Sequence, residues 1–250
     1  MVLTKRSSLF ISLLLFGAYT AQGAEGYLTL ELGGSFFQVS NSAQNNASIN
    51  AAPLGGASLL GLDLRFSDRT ALTLSGSALA APVRVNSGIT EQDSPYIYGT
   101  GNIGLKFIRE RHQLHFVVGA EYIPVLESET LGVIRLPTTL AVSGLVDFGW
   151  KFLQGPSHDL WLHLRAGYLH GLQSSASQTF DHGVKYGAEV NFNLIEGGIP
   201  FGMFARSEND FLFTTHGTQK SVRFVLGIRL FTRLANPKTS RGRKYLTTGN

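Results

Sequence analysis

Hydrophobic residues recur at every second position through most of this chain, and a period of two admits only strands with one apolar and one polar face. Ten such runs are present. Tyr27–Phe37 puts Leu28, Leu30, Leu32 and Phe36 on one side and Thr29, Glu31 and Ser35 on the other. Leu59–Phe66 sets Leu60, Leu62, Leu64 and Phe66 against Asp63 and Arg65; Thr70–Ala80 sets Leu72, Leu74 and Ala78 against Thr73, Ser75 and Ser77. In Tyr96–Ile108, Ile103, Leu105 and Phe107 oppose Tyr98, Thr100, Asn102 and Lys106. Gln113–Ile123 opposes Leu114, Phe116, Val118, Ala120 and Tyr122 to Gln113, His115 and Glu121. Thr138–Phe152 opposes Leu140, Val142, Val146, Phe148, Trp150 and Phe152 to Ser143, Asp147 and Lys151. The last four runs are Asp159–His170 with His163 and Arg165 on the polar side, Gly183–Leu194 with Lys185, Glu189 and Asn191, Phe201–Ser207, and Ser221–Phe231 with Arg223 and Arg229. Phe201–Ser207 is blurred by Phe201, Met203 and Phe204 and carries Arg206.

The connections alternate in length. Ser67–Arg69, Arg109–His112, Leu153–His158 and Ile195–Pro200 are brief, whereas Gln38–Ala57, Ala81–Pro95, Pro124–Pro137, Gly171–His182 and Glu208–Lys220 are longer and rich in Ser, Asn, Thr and Gly. In an up-and-down meander this places all short turns at one end and all long loops at the other.

Alternation alone leaves open whether the apolar face covers a soluble core, as in a secreted β-sandwich that binds a ligand, or faces lipid. Three features favour lipid. Ten strands with this many large apolar residues overfill the interior of a soluble barrel of that size. Aromatics form two bands: Tyr27, Phe66, Phe107, Trp150, Phe192 and Phe231 near the short turns, and Phe36, Tyr98, Tyr122, Tyr168 and Tyr186 near the long loops. All but Tyr27, Tyr98 and Phe231 share parity with the apolar face, as interfacial girdles should. Most runs also approach the roughly 9–11 residues of a tilted membrane-crossing strand.

The ends fit an exported chain. Lys5 and Arg6, the apolar stretch Leu9–Tyr19 and Ala21-Gln22-Gly23 read as a signal peptide over residues 1–23, with the mature chain starting at Ala24. No later segment offers 18 uninterrupted apolar residues, so no transmembrane helix is expected. The formal charge of +4 falls to +2 without Lys5 and Arg6. Residues 232–250 hold Arg233, Lys238, Arg241, Arg243 and Lys244 and no acid, so the barrel region 24–231 is left at −3. This tail is expected to be a disordered periplasmic terminus or a contact for an anionic periplasmic partner. Despite a pI near 9.4, no basic stripe interleaved with stacking aromatics signals nucleic acid.

With these features assembled, residues Glu25 to Phe231 resemble the small outer-membrane β-barrels of Gram-negative bacteria, the porin-like superfamily. The final run VRFVLGIRLF looks like the closing strand by which such proteins are recognised for assembly. The resemblance implies an all-β, antiparallel up-and-down transmembrane barrel of about ten strands in the outer membrane, with lipid, lipopolysaccharide and the barrel-assembly machinery as partners. The chain departs from that pattern by running nineteen residues past the terminal aromatic.

On this reading Glu31, Asp63, Glu121, Asp147 and Glu189 face the lumen with Arg65, Lys106, Lys151, Arg165, Lys185, Arg206, Arg223 and Arg229, a surplus of three positive charges. Ten strands lie near the filled end of the barrel series, so two states are open: an ionic network that plugs the lumen, or a narrow small-solute passage leaning toward anions. An enzyme acting on lipid A or peptide would need a cluster at the outer rim. The candidates are Asp181-His182, His170, Glu127 with Glu129, and Ser143 with Glu121. The second aspartate pair used by omptin proteases has no counterpart here. A deacylase-like Ser–His–Glu set is opposed by parity, since Ser143 reads inward and His170 outward. His158, His163, His170 and His182 lack metal-ligand spacing, no cofactor motif occurs, and the absence of cysteine removes thiolate chemistry. The reading is therefore a non-enzymatic barrel with a structural or surface role, or a narrow passage.

Parity makes a direct prediction. Leu226→Arg should block folding into lipid vesicles, because a charge on the lipid face near mid-depth costs roughly 2–4 kcal/mol, whereas Arg229→Gln, on the opposite face, is expected to fold. Equal tolerance of both, read by heat-modifiable gel mobility, would overturn the assigned orientation.

Overall fold

A computed structural model describes residues 25–41, 48–51, 55–86, 91–128, 134–172, 180–194, 201–214 and 217–234. These form thirteen strands: β1 Glu25–Asn41, β2 Ser48–Ala51, β3 Gly55–Ser67, β4 Thr70–Asn86, β5 Glu91–Ile108, β6 His112–Pro124, β7 Glu127–Ser128, β8 Ile134–Arg135, β9 Thr138–Gln154, β10 His158–Gly171, β11 Phe180–Leu194, β12 Phe201–Thr214 and β13 Gly217–Leu234. Ten long strands, β1, β3, β4, β5, β6, β9, β10, β11, β12 and β13, pair in chain order, and β13 returns to β1 to close the barrel. Each predicted run lies within one of them. The signal-peptide reading over 1–23, the short turn Ile195–Pro200 and residues 235–250 lie outside the described residues.

Closure is demanded by the backbone. In lipid an unpaired N–H or C=O costs several kcal/mol, so a sheet that spans the bilayer can leave no edge. The seam runs from Gly26↔Leu234 to Asn41↔Gln219 without a break. At its middle Gly33 pairs with Gly227, where the ring of Phe204 lies against the wall: a Cβ added to Gly227 would come within 2.8 Å of both Gly33 Cα and Phe204 Cε1.

Outward and inward faces alternate as parity requires. Leu32, Phe36, Leu60, Val118, Leu164, Met203 and Leu226 are exposed on the outside, with Phe66, Phe107 and Trp150 toward the short turns and Tyr122, Tyr168 and Tyr186 toward the loops. This is the lipid-facing belt with its two girdles.

Strands outrun the predicted runs at the loop end. The expected long loop Glu208–Lys220 is instead a tight hairpin: β12 and β13 stay paired up to Thr214↔Gly217. Gly217 adopts φ 125°, which a side chain would disfavour, and Thr214 Oγ1 donates to its carbonyl at 2.9 Å. β4 and β5 likewise stay in register through Pro82↔Pro95 to Asn86↔Glu91, and β2 bridges β1 and β4 above the start of β3. Each of the ten is 13 to 18 residues long, more than the roughly 9–11 a crossing needs, so the wall continues beyond the membrane as a collar.

Inside that collar the parity rule changes its meaning. Phe37, Val39, Leu79, Tyr96, Ile123, Leu169, Phe180 and Leu212 point inward and form a buried apolar cluster at the outer end of the lumen, joined by Val125 and Leu126 from beyond β6. The tight seam gives a second prediction. Gly227→Val should destabilise the folded barrel by about 1–3 kcal/mol through overpacking, lowering its urea midpoint in vesicles, while Gly101→Val, whose Cβ meets nothing within 4 Å, should leave the midpoint nearly unchanged.

Candidate functional site

The charged side chains that the sequence assigns to the lumen come together there. Glu31, Glu121, Lys151, Lys185, Glu189 and Arg223 are buried, and Asp63, Lys106, Asp147, Arg165, Arg206 and Arg229 are mostly covered. Arg65 stands over the ring of Tyr27 at 4.6 Å. Lys151 stands over the Trp161 ring at 5.1 Å.

Most of these charges belong to one connected network. Glu189 receives Arg165 at 3.0 Å and Arg229 at 2.6 Å, and Arg206 through its Nε. Arg206 and Arg229 also donate to Glu31, each at 2.6 Å. Arg165 reaches on to Asp147 at 3.3 Å and Glu208 at 3.2 Å. Glu208 leads to Arg223 at 3.5 Å, and Arg223 donates to Asp210 at 2.6 Å. His163 joins the network through Asp147 at 2.9 Å and also contacts Gln113 at 3.0 Å; separate pairs lie beside it, Lys106–Asp63 at 2.6 Å and Thr73–His115 at 2.6 Å.

One layer spans the lumen from side to side. Tyr98 of β5 donates its hydroxyl to Glu121 of β6 at 2.5 Å. Lys185 of β11, four strands away around the wall, donates to both Tyr98 at 2.7 Å and Glu121 at 2.5 Å. Arg223 of β13, four strands away in the other direction, lays its guanidinium 3.8 Å from the Tyr98 ring centre. Just below, a cavity of about 40 Å³ is lined by Glu31, Leu59, Ser77, Phe204, Arg206 and Arg223 among others.

The sequence-level charge count misses four inward carboxylates. Glu208 and Asp210, assigned above to a loop, continue the inward parity of Phe204 and Arg206; Asp159 is buried at the short-turn end, where it accepts from Asn193 at 2.7 Å, and Glu25 accepts from the inward Tyr27 hydroxyl at 2.5 Å. With them the expected surplus of three disappears among the described residues. Phe204 is itself inward and buried, with Arg206 and Arg229 over its ring at 5.0 and 5.5 Å; this inward aromatic is what blurs the ninth run. The aromatics with inward parity share that role: Tyr27, Tyr98 and Phe231 each carry an arginine on the ring. The signal was in the sequence, as an aromatic spaced two residues from a basic residue in Phe204/Arg206 and Arg229/Phe231.

The rim candidates for catalysis do not converge. Asp181 and His182 touch at 3.3 Å on the outer side of the wall, where His182 is stacked against Phe213 at 4.8 Å and Tyr168 at 6.3 Å. Ser143 is buried and its Oγ has no hydrogen-bond partner, while His170 pairs in register with His182 on the opposite face of the sheet. Glu129 lies outside the described residues, as does the side chain of Glu127.

No protein-family model and no curated protein matches this chain. Among solved structures it is similar to the outer membrane protease OmpT of Escherichia coli, with 8% identity and a TM-score of 0.43 over 86% of this chain and 98% of that one. It is also similar to an outer membrane channel of Pseudomonas putida F1, with 12% identity and a TM-score of 0.44 over 84% and 96%. The attachment invasion locus protein Ail of Yersinia pestis gives 14% identity and a TM-score of 0.34 over 83% and 99%. By its own geometry, closed wall, apolar belt, aromatic girdles and polar interior, this chain is an outer-membrane β-barrel of the Gram-negative type.

The network predicts unequal costs. Glu189→Gln should lower folding stability by about 3–5 kcal/mol, because three buried arginines lose a shared carboxylate, whereas Lys106→Gln, in a partly exposed pair, should cost under about 1 kcal/mol. Arg229→Gln falls between these, since Arg206 still serves both of its acids, and is thus costlier than parity alone suggests. Urea midpoints of the three variants in vesicles test the ranking; equal midpoints would mean the network contributes no net stability.

Proposed function

We propose that this protein is a non-enzymatic outer-membrane barrel with a sealed lumen, whose role is exercised at its lipid-facing wall and external collar. The observation that supports this reading is the Tyr98–Glu121–Lys185–Arg223 layer, in which side chains from opposite parts of the wall meet in the lumen and hydrogen-bond or stack. The cavity of about 40 Å³ beside it has room for a few water molecules. The inward acids Glu25, Asp159, Glu208 and Asp210 also remove the basis for anion preference. On this reading the belt contacts lipid and lipopolysaccharide, and the final strand β13 is the segment offered to the barrel-assembly machinery. Because the chain leaves the barrel at the short-turn end after Leu234, a partner for its basic terminus would be periplasmic. Against an enzyme stands the separation of the candidate groups: Asp181 and His182 lie outside the wall and Ser143 inside it.

The test is ion conductance of the folded chain inserted in a planar bilayer. Silence from protein shown to be inserted is expected, and the double variant Tyr98→Ala/Lys185→Ala should produce small, steady openings. Steady openings of the unaltered chain under a salt gradient would overturn the sealed lumen.

A further inference from the structure

We propose that the segment Pro124–Leu126 is a movable lid over the outer mouth of the barrel, latched by Gln219. The wall does not need this segment. β6 leaves its ladder with β9 at the pair Pro124↔Thr138, after which the chain turns inward and the side chains of Val125 and Leu126 become fully buried in the apolar cluster. Gln219 reaches them from β13, the fifth strand around from β6 in a ring of ten and therefore diametrically opposite. Its amide makes two hydrogen bonds to the segment: Leu126 N–H donates to Oε1 at 2.7 Å, and Nε2 donates to the Pro124 carbonyl at 3.0 Å. Gln219 is itself fully buried. The base of the segment is tied by one further bond, Val125 N–H to the Pro137 carbonyl at 2.8 Å.

A single side chain from the far wall thus fastens the inward turn that follows β6. All ten ladders persist if the segment swings out about Pro124, and the price falls on at most three hydrogen bonds and two aliphatic side chains. What the movement uncovers is the buried apolar cluster of Phe37, Val39, Tyr96, Leu169, Phe180 and Leu212. The Tyr98 layer lies beneath, so the lid does not stand or fall with the sealed lumen: conductance tests the layer, and access to the cluster tests the lid.

The chain has no cysteine, so single reporters are clean. Leu212→Cys and Val39→Cys place thiols under the lid, and Thr73→Cys places one in the lower lumen beside His115. The folded chain in lipid vesicles is exposed to a sulfonated, membrane-impermeant maleimide, with and without Gln219→Ala. Expected are slow labelling at positions 39 and 212 with Gln219 present, and a rise of roughly tenfold or more without it, with no change at position 73. Labelling at 39 and 212 that ignores Gln219, or is fast with it present, overturns the lid. An equal rise at all three positions overturns it too, because Gln219 would then be holding the whole barrel together.

Discussion

Every backbone group of the wall must find its partner within the wall, because lipid offers none. That constraint forces β13 back onto β1, and closure at ten strands in turn fixes a lumen too wide to leave empty and too narrow for a water-filled channel of porin width. The outside is then dictated by the bilayer and the inside by the need to fill space without orphaning charges. Gly33 and Gly227 show how tightly the two demands meet: a Cβ on Gly33 would press on the Leu226 carbonyl, and one on Gly227 on the Leu32 carbonyl and the Phe204 ring.

The interior answers with two layers of different chemistry. In the belt region, where the outer face is apolar, the inner face is ionic, and arginines alternate with carboxylates or lie on aromatic rings so that few charges stand alone. In the collar, beyond the lipid, apolar side chains turn inward and are buried there as in a soluble protein. Tyr96 and Tyr98 join the layers: the Tyr96 ring packs on Phe37 at 4.1 Å on the apolar side, and Tyr98 carries Arg223 and accepts from Lys185 on the ionic side.

Strands and faces were legible because lipid imposes one rule on every residue it touches, and that rule has a period of two. All ten wall strands and the inward side of Glu31, Glu189 and Arg229 follow from it. The collar was not legible, since above the membrane polar residues on either face are tolerated and Glu208 to Lys220 reads as a loop by composition. Continuing the parity of Arg206 through Glu208, Asp210 and Leu212 would have extended β12 and found two of the missing acids. The inward turn after Pro124 left no periodic trace at all, because Val125 and Leu126 are buried by tertiary packing and not by any strand pattern.

The ionic layer has a second consequence, in register. A strand that slips by one residue turns its apolar set inward, and the bilayer forbids that. A slip by two keeps every face correct, so neither lipid nor parity opposes it. The cross-lumen contacts do. Arg206 on Glu31, Arg229 on Glu189, Arg165 on Glu208 and Lys106 on Asp63 each join strands that are two apart in the wall and share no ladder. A two-residue slip of any one strand would part several of these at once and leave buried charges uncompensated. Buried ion pairs of this kind add little net stability over an apolar filling, yet breaking one is costly. Their arrangement across non-neighbouring strands makes that asymmetry a selector among barrels that the lipid alone cannot tell apart.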